Sequence, residues 1–240
     1  MQDKIMGRNK NHDWQDDVGM HKQINEIAVF PAEKPDAPLV LFHTVQGEAE
    51  AIAAAVRAMT ETDCSLAGIA VSDWNSQLTP WEAPALRKKD APFSGGADAY
   101  LHALTGEILP GLMSDYALSP RYTALAGYSL AGLFALYAMY CTDVFSRFAS
   151  VSGSLWYPSF AEFAAEHVPL RHPDCVYLSV GDREASARHP LLRTVEDHTR
   201  AMYALCRKME IPSAFVLNSG THFDDPEKRT AKGIVWMLEQ

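Results

Sequence analysis

The chain has 240 residues, of which 48% are hydrophobic and 21% charged, and it carries a formal net charge of −9 at pH 7. That composition supplies enough apolar side chains for the core of a folded unit and excludes a disordered chain. With Lys88, Lys89 and Lys208 scattered rather than clustered, it also excludes a phosphate-backbone partner, because nucleic-acid affinity rests on grouped Lys and Arg.

Residues 1–20, rich in Asp, Asn and Lys, read as a polar N-terminal segment, and residues 21–240 as a single domain. The segment lacks the apolar core of a secretory signal, and no later run reaches the roughly 18 apolar residues that a membrane span needs. The expectation is a cytoplasmic protein with no membrane partner. Along the chain, apolar runs predict strands at 24–30 and 39–43, a helix at 49–59 and a strand at 66–71. The stretch 72–96 breaks the pattern: it holds Trp74, Trp81, Phe93, three prolines and the Gly95-Gly96 pair. It reads as a long ordered loop, either a lid or a surface excursion pinned by its tryptophans.

A helix at 97–109, closed by Pro110, follows, because proline cannot continue a helix interior. Then come a strand at 122–126, a helix at 130–140, strands at 148–151 and 176–180, a helix at 195–209 ending before Pro212, a strand at 214–217 and a helix at 226–238. Most of the strand runs are too continuously apolar to be half-exposed, so both faces of the sheet must be covered. The alternation predicts an α/β fold with a mostly parallel central sheet and helices on both faces. Cys64, Cys141, Cys175 and Cys206 lie far apart without a Cys-x-x-Cys pair. They read as reduced core residues, with neither a zinc site nor a redox motif.

Chemistry concentrates after the strand at 122–126, in Gly127-Tyr128-Ser129-Leu130-Ala131-Gly132 leading into an apolar helix. A serine on a sharp strand-to-helix turn needs small neighbours so that strand and helix can pack closely. Gly127 meets that need, whereas Ala131 stands where the G-x-S-x-G pattern has its second glycine. Taken alone, Ser129 could instead be a helix cap. The order of its partners favours a nucleophile. Asp182 and Glu184 follow one later strand, His222 follows the last, and the order serine, acid, histidine is that of α/β-hydrolases.

His222 is the candidate general base and acid. Glu184 is the preferred orienting acid and Asp182 the alternative; a salt bridge with Arg183 or Arg188 is a competing use for either. The oxyanion donors should be the Leu130 N–H and an N–H from 44–47, with Val45 or Gln46 the candidates. No histidine pair has zinc-helix spacing, so no metal is expected.

With these residues assembled, the chain resembles the esterase family that contains enterobactin-type siderophore esterases, feruloyl esterases and esterase D. The resemblance runs from about Ile24 to the end. It rests on Asp73-Trp74-Asn75, Thr79-Pro80-Trp81, Gly95-Gly96-Ala97-Asp98, the Ser129 segment, Ser152-Gly153-Ser154-Leu155-Trp156, Gly181-Asp182-Arg183-Glu184 and Gly220-Thr221-His222-Phe223. It implies an α/β-hydrolase fold without a large cap domain, no cofactor, a small-molecule ester substrate and hydrolysis through an acyl-enzyme on Ser129, with a siderophore esterase, an acyltransferase and a non-catalytic binding protein of the same fold as the alternatives. Trp74, Asn75, Trp81 and Trp156 then become candidates for lining the substrate pocket. The oligomeric state stays open, a homodimer included.

Overall fold

In a computed structural model, residues 26–45 and 47–240 are described. The proposed polar segment 1–20 and the oxyanion candidate Gln46 lie outside the described residues. Strand β1 (Glu26–Phe30) is followed by β2 (Leu39–Thr44), helix α1 (Ala49–Met59) and β3 (Ser65–Ala70). The excursion after β3 carries the single turn α2 (Trp74–Gln77) and two short strands, β4 (Glu82–Ala83) and β5 (Phe93–Ser94). Helices α3 (Ala97–Ala103) and α4 (Leu109–Asp115) lead to β6 (Thr123–Tyr128), α5 (Leu130–Cys141) and β7 (Arg147–Val151). Helix α6 (Phe160–Glu166), β8 (Cys175–Gly181), α7 (Pro190–Arg193), α8 (Val195–Lys208), β9 (Ser213–Asn218) and α9 (Pro226–Leu238) complete the chain.

Seven strands form one sheet in the order β1-β3-β2-β6-β7-β8-β9. β1 runs antiparallel to β3 and every other pairing is parallel, the mostly parallel α/β arrangement that the sequence pattern predicts. The period-two alternation of a strand divides its side chains between two cores. Val40 and Phe42 of β2 join Ile52, Val56 and Ile234 under α1 and α9. Leu39 and Leu41 face the other way, with Leu133, Phe134 and Met202, under α5 and α8. α5 is covered along nearly its whole length, Leu130 to Tyr140 all being buried. Each fully buried Leu or Phe of this kind contributes about 1.5–3 kcal/mol.

Two expectations need correction. Pro110 does not close a helix: a π-helical turn spans 104–108, the Leu109 N–H bonds the Leu104 carbonyl, and α4 continues past the proline. The wide turn restarts the ladder, so Pro110 falls in a first turn, where a missing N–H costs nothing. The stretch 72–96 is also more structured than a loop, since β4 and β5 pair within it. It behaves as a pinned excursion: Leu78, Ala83 and Phe93 join the α5-side core, and Trp81 packs against Tyr137, Tyr157 and Phe163. The four cysteines are free thiols, and Cys141 alone among them is partly exposed. No helix among the described residues is long and apolar enough to cross a membrane.

Candidate active site

Ser129 occupies the single residue between β6 and α5 and adopts φ 58°, ψ −123°, a region that L-residues avoid and that costs on the order of 1–3 kcal/mol. The strand can enter the helix this abruptly because Gly127 has no side chain. A Cβ there would lie 2.3 Å from the Ala131 carbonyl oxygen and 2.6 Å from the Ala131 Cβ. The clearance therefore comes from Gly127, which leaves room for alanine at 131. Gly132 fills the second close approach, where an added Cβ would sit 3.0 Å from the Gly153 Cα.

The Ser129 Oγ lies 3.0 Å from His222 Nε2, and His222 Nδ1 lies 2.8 Å from Glu184 Oε2. Glu184 follows β8 in a short 3₁₀ turn and is buried. Its other oxygen, Oε1, accepts the Gly181 N–H at 2.7 Å and faces the Arg229 Nη1 at 3.5 Å. Burial alone would raise the Glu184 carboxyl. Hydrogen bonds from His222, Ser152 and the Gly181 N–H, with the attraction of a charged His222, outweigh it and hold the group below its ordinary value.

Asp182 is exposed and accepts the Gly220 N–H at 2.8 Å; it braces the histidine loop and leaves the imidazole contact to Glu184. Arg183 pairs with Asp224 at 3.7 Å. Arg229 of α9, 3% exposed, donates to the Ser219 and Thr221 carbonyls at 2.8 and 2.9 Å. The Tyr128 hydroxyl donates to the His222 carbonyl at 2.7 Å. Neither Arg229 nor Tyr128 was singled out from the sequence. For Arg229 a signal existed: it shares the i, i+4, i+8 face of α9 with Gly233 and Met237, both buried, and a charged residue on such a face needs buried partners.

Leu130 is the first residue of α5, so its N–H is among those that a helix start leaves without an intrahelical acceptor. Val45 follows β2, and its N–H faces Glu48 Oε2 at 3.4 Å, an oxygen that also accepts the Thr44 hydroxyl at 2.8 Å. A cavity of about 270 Å³ opens over Ser129 and His222, with Val45, Glu48, Ile52, Trp74, Phe223 and Glu227 in its walls.

Residues 44–226 match the family described as "Putative esterase". The chain belongs to this esterase family. The match covers most of the sheet and every residue of the Ser129–His222–Glu184 arrangement. The chain is 26% identical to the "Uncharacterized protein YbbA" of Bacillus subtilis (strain 168) over 163 residues. That alignment covers 64% of this chain and 64% of that protein, so less than two thirds of the relative's length is spanned.

Among solved structures, an IroE-like serine hydrolase from Shewanella oneidensis is similar with a TM-score of 0.73 at 17% identity, over 90% of this chain and 76% of that one. The siderophore hydrolase EstA from Aspergillus nidulans is similar with a TM-score of 0.68 at 19% identity, over 90% of each chain. The enterobactin esterase FES from Shigella flexneri gives 0.67 at 18% identity, over 90% of this chain and 55% of that one. These likenesses establish the α/β-hydrolase fold.

Within this esterase-family fold the candidate pocket residues separate. Trp74 lines the cavity over Ser129. Asn75 instead donates from Nδ2 to the Ala91 carbonyl at 3.1 Å, Trp81 donates from Nε1 to the Pro158 carbonyl at 2.9 Å, and Trp156 packs in tilted contacts against Phe93 and Tyr157. These three are engaged in holding the excursion and the loop after β7. A second cavity, of about 280 Å³, lies between α6 and α8 with a mainly apolar lining and contains none of the candidate residues. Among the described residues, no group of three or more His, Cys, Asp and Glu is arranged to hold a metal ion.

Proposed function

We propose that this chain is a serine hydrolase of carboxylic esters, built as one catalytic domain, with Ser129 as nucleophile, His222 as general base and acid, and Glu184 as orienting carboxylate. The observation that carries the reading is the continuous relay from Glu184 through His222 to Ser129, at 2.8 and 3.0 Å, on the wall of a cavity. His222 Nε2 takes the Ser129 proton as Oγ adds to the ester carbonyl. Glu184 stabilises the imidazolium that results. The Leu130 N–H and a second donor, Val45 or Gln46, meet the charge on the carbonyl oxygen. Collapse returns the proton from Nε2 to the leaving alcohol and leaves an acyl group on Oγ. Water, deprotonated by His222, then releases the acid.

Siderophore hydrolases share this fold, yet among the described residues the cavity walls contain Glu48 and Glu227 and neither Lys nor Arg. Carboxylates at the wall repel an anionic iron chelate, so we favour a neutral carboxylic ester, its apolar part against Trp74 and Ile52.

A fluorophosphonate probe should label the wild-type chain at Ser129, and the chain should cleave p-nitrophenyl esters while Ser129→Ala does neither. A folded wild-type sample inert to both would refute the reading. Glu184→Gln should lower kcat roughly 10²-fold or more, whereas Asp182→Asn, whose amide oxygen can still accept the Gly220 N–H, should keep most of the activity. The reverse ranking would move the acid to Asp182.

A further inference from the structure

The turn after β7 places a second hydroxyl against the nucleophile. Ser152 adopts φ 43°, and its N–H donates to the Ser179 carbonyl at 2.8 Å. Gly153 follows, where an added Cβ would lie 2.1 Å from the Ser150 Oγ, so a side chain there would have to displace the Ser150 hydroxyl. Ser154 comes next; its N–H donates to the Ser129 carbonyl at 2.9 Å, and its Oγ lies 3.3 Å from the Ser129 Oγ. Ser154 is 1% exposed. Among the described residues, the Ser129 Oγ is the hydrogen-bond partner of this hydroxyl.

The direction of that bond follows from proton accounting. His222 Nδ1 faces a carboxylate, which accepts only, so the ring proton sits on Nδ1 and Nε2 is the acceptor of the neutral imidazole. The single Ser129 hydroxyl proton is then committed to Nε2. In the pair of serines, Ser154 must therefore be the donor. A hydroxyl that donates to Ser129 Oγ fixes its rotamer toward His222, and it points a dipole at the atom that gains negative charge as His222 withdraws the proton. Hydrogen bonds to a charged acceptor are roughly twice as strong as neutral ones, so the bond is strongest while the proton is leaving Oγ, before the new C–O bond draws that charge to the carbonyl oxygen, and that difference is what accelerates a step.

We propose that Ser154 is a positioning residue for the esterase reaction, donating a hydrogen bond to Ser129 Oγ and supporting it as it becomes a nucleophile. The inference rests on the proposed role of Ser129. It assigns Ser154 a role in acylation rather than in substrate binding. Because the donor is set at 3.3 Å rather than at oxyanion-hole distance, its removal should cost less than the 10²–10³-fold typical of an oxyanion donor, about tenfold.

The test compares wild type, Ser154→Ala and Ser154→Cys by fluorophosphonate labelling rate, by kcat and KM on a p-nitrophenyl ester, and by thermal melting. Cysteine keeps the shape of the side chain but is a weak donor. Both variants should label and turn over about tenfold more slowly, with KM and melting temperature close to wild type. Recovery in Ser154→Cys alone would mean that the hydroxyl only fills space and would overturn the proposal. So would wild-type rates in Ser154→Ala, or a slowing matched by an equal rise in KM. If wild type itself is not labelled at Ser129, the esterase reading fails and takes this inference with it; if wild type reacts and the variants keep pace, only the inference falls.

Discussion

The two loops that flank Ser129 are held in opposite ways. On the acid–histidine side, the backbone around His222 is held at several points. The Ser219 and Thr221 carbonyls accept from Arg229, the Gly220 N–H donates to Asp182, the Gly220 carbonyl accepts the Arg183 N–H, and the His222 carbonyl accepts the Tyr128 hydroxyl. On the β2–α1 side, Val45 is 43% exposed and its N–H reaches Glu48 at 3.4 Å. Loops tied by several hydrogen bonds to a buried side chain such as Arg229 are held more rigidly than exposed loops with few contacts. The imidazole is thus set before substrate arrives, while the loop proposed to supply a second oxyanion donor keeps room to adjust.

Arg229→Met should break the rigid side most severely. It removes two carbonyl contacts and the cation beside Glu184, leaving a buried carboxylate with less compensation. Losing one partner of a buried pair costs about 3–5 kcal/mol. Chemical denaturation should show a loss of that size, with a fall in kcat of roughly tenfold or more as His222 drifts from Ser129. Near-normal stability with intact activity would mean that the loop holds itself.

The base of the looser side is firm, and acid should expose it. His43, at the end of β2, is 1% exposed and bonds the Tyr100 hydroxyl through Nε2 at 2.8 Å. Burial pulls its pKa from 6.5 down to about 3. The folded chain therefore keeps His43 neutral where the unfolded chain protonates it. The associated stability is complete above pH 6.5 and is lost as pH falls toward 3, at up to about 1.4 kcal/mol per pH unit. Between pH 7 and 4.5, His43→Leu should lose about 2–3 kcal/mol less than wild type, although its stability at pH 7 is lower because Tyr100 is left unpaired. Equal losses would show that His43 takes up a proton in the fold.

How legible each part was in the sequence follows from the range of the interactions that make it. The strands announce themselves as apolar runs because the sheet is covered on both faces. Ser129, the pair Asp182 and Glu184, and His222 each follow a strand end, so order along the chain is enough to nominate them. Glu184 is preferred to Asp182 only for standing three residues after Gly181, and the 2.8 Å contact with His222 Nδ1 is visible only in the fold. Arg229, Tyr128 and Ser154 act through partners distant in sequence, and their roles appear only once β6, β7, β8 and the start of α9 converge. Trp81 and Trp156 allow two readings in the sequence, pocket wall or loop anchor, and only the fold shows the anchoring contacts that they make with Tyr137, Tyr157, Phe163 and Phe93. Pro110 misled locally: the rule that proline ends a helix holds for an unbroken ladder, and the π-helical turn before it interrupts that ladder.

The smallest expected effect lies on the looser side and has the opposite sign. Glu48 accepts from the Thr44 hydroxyl and, weakly, from the Val45 N–H, and an amide oxygen at the same place can do both. Glu48→Gln should leave stability within about 0.5 kcal/mol of wild type, as substitutions at half-exposed positions usually do. What it removes is a negative charge next to the place where the carbonyl oxygen of the substrate would become negative. At the dielectric of water, which reaches this half-exposed carboxylate beside the exposed Val45, such a charge opposes the transition state by about 1 kcal/mol at about 4 Å. Turnover of a neutral p-nitrophenyl ester should therefore rise a few-fold, with little change in melting temperature. A fall in turnover instead would mean that Glu48 orders the Val45 N–H for catalysis, and the two loops would then be alike in needing their polar braces.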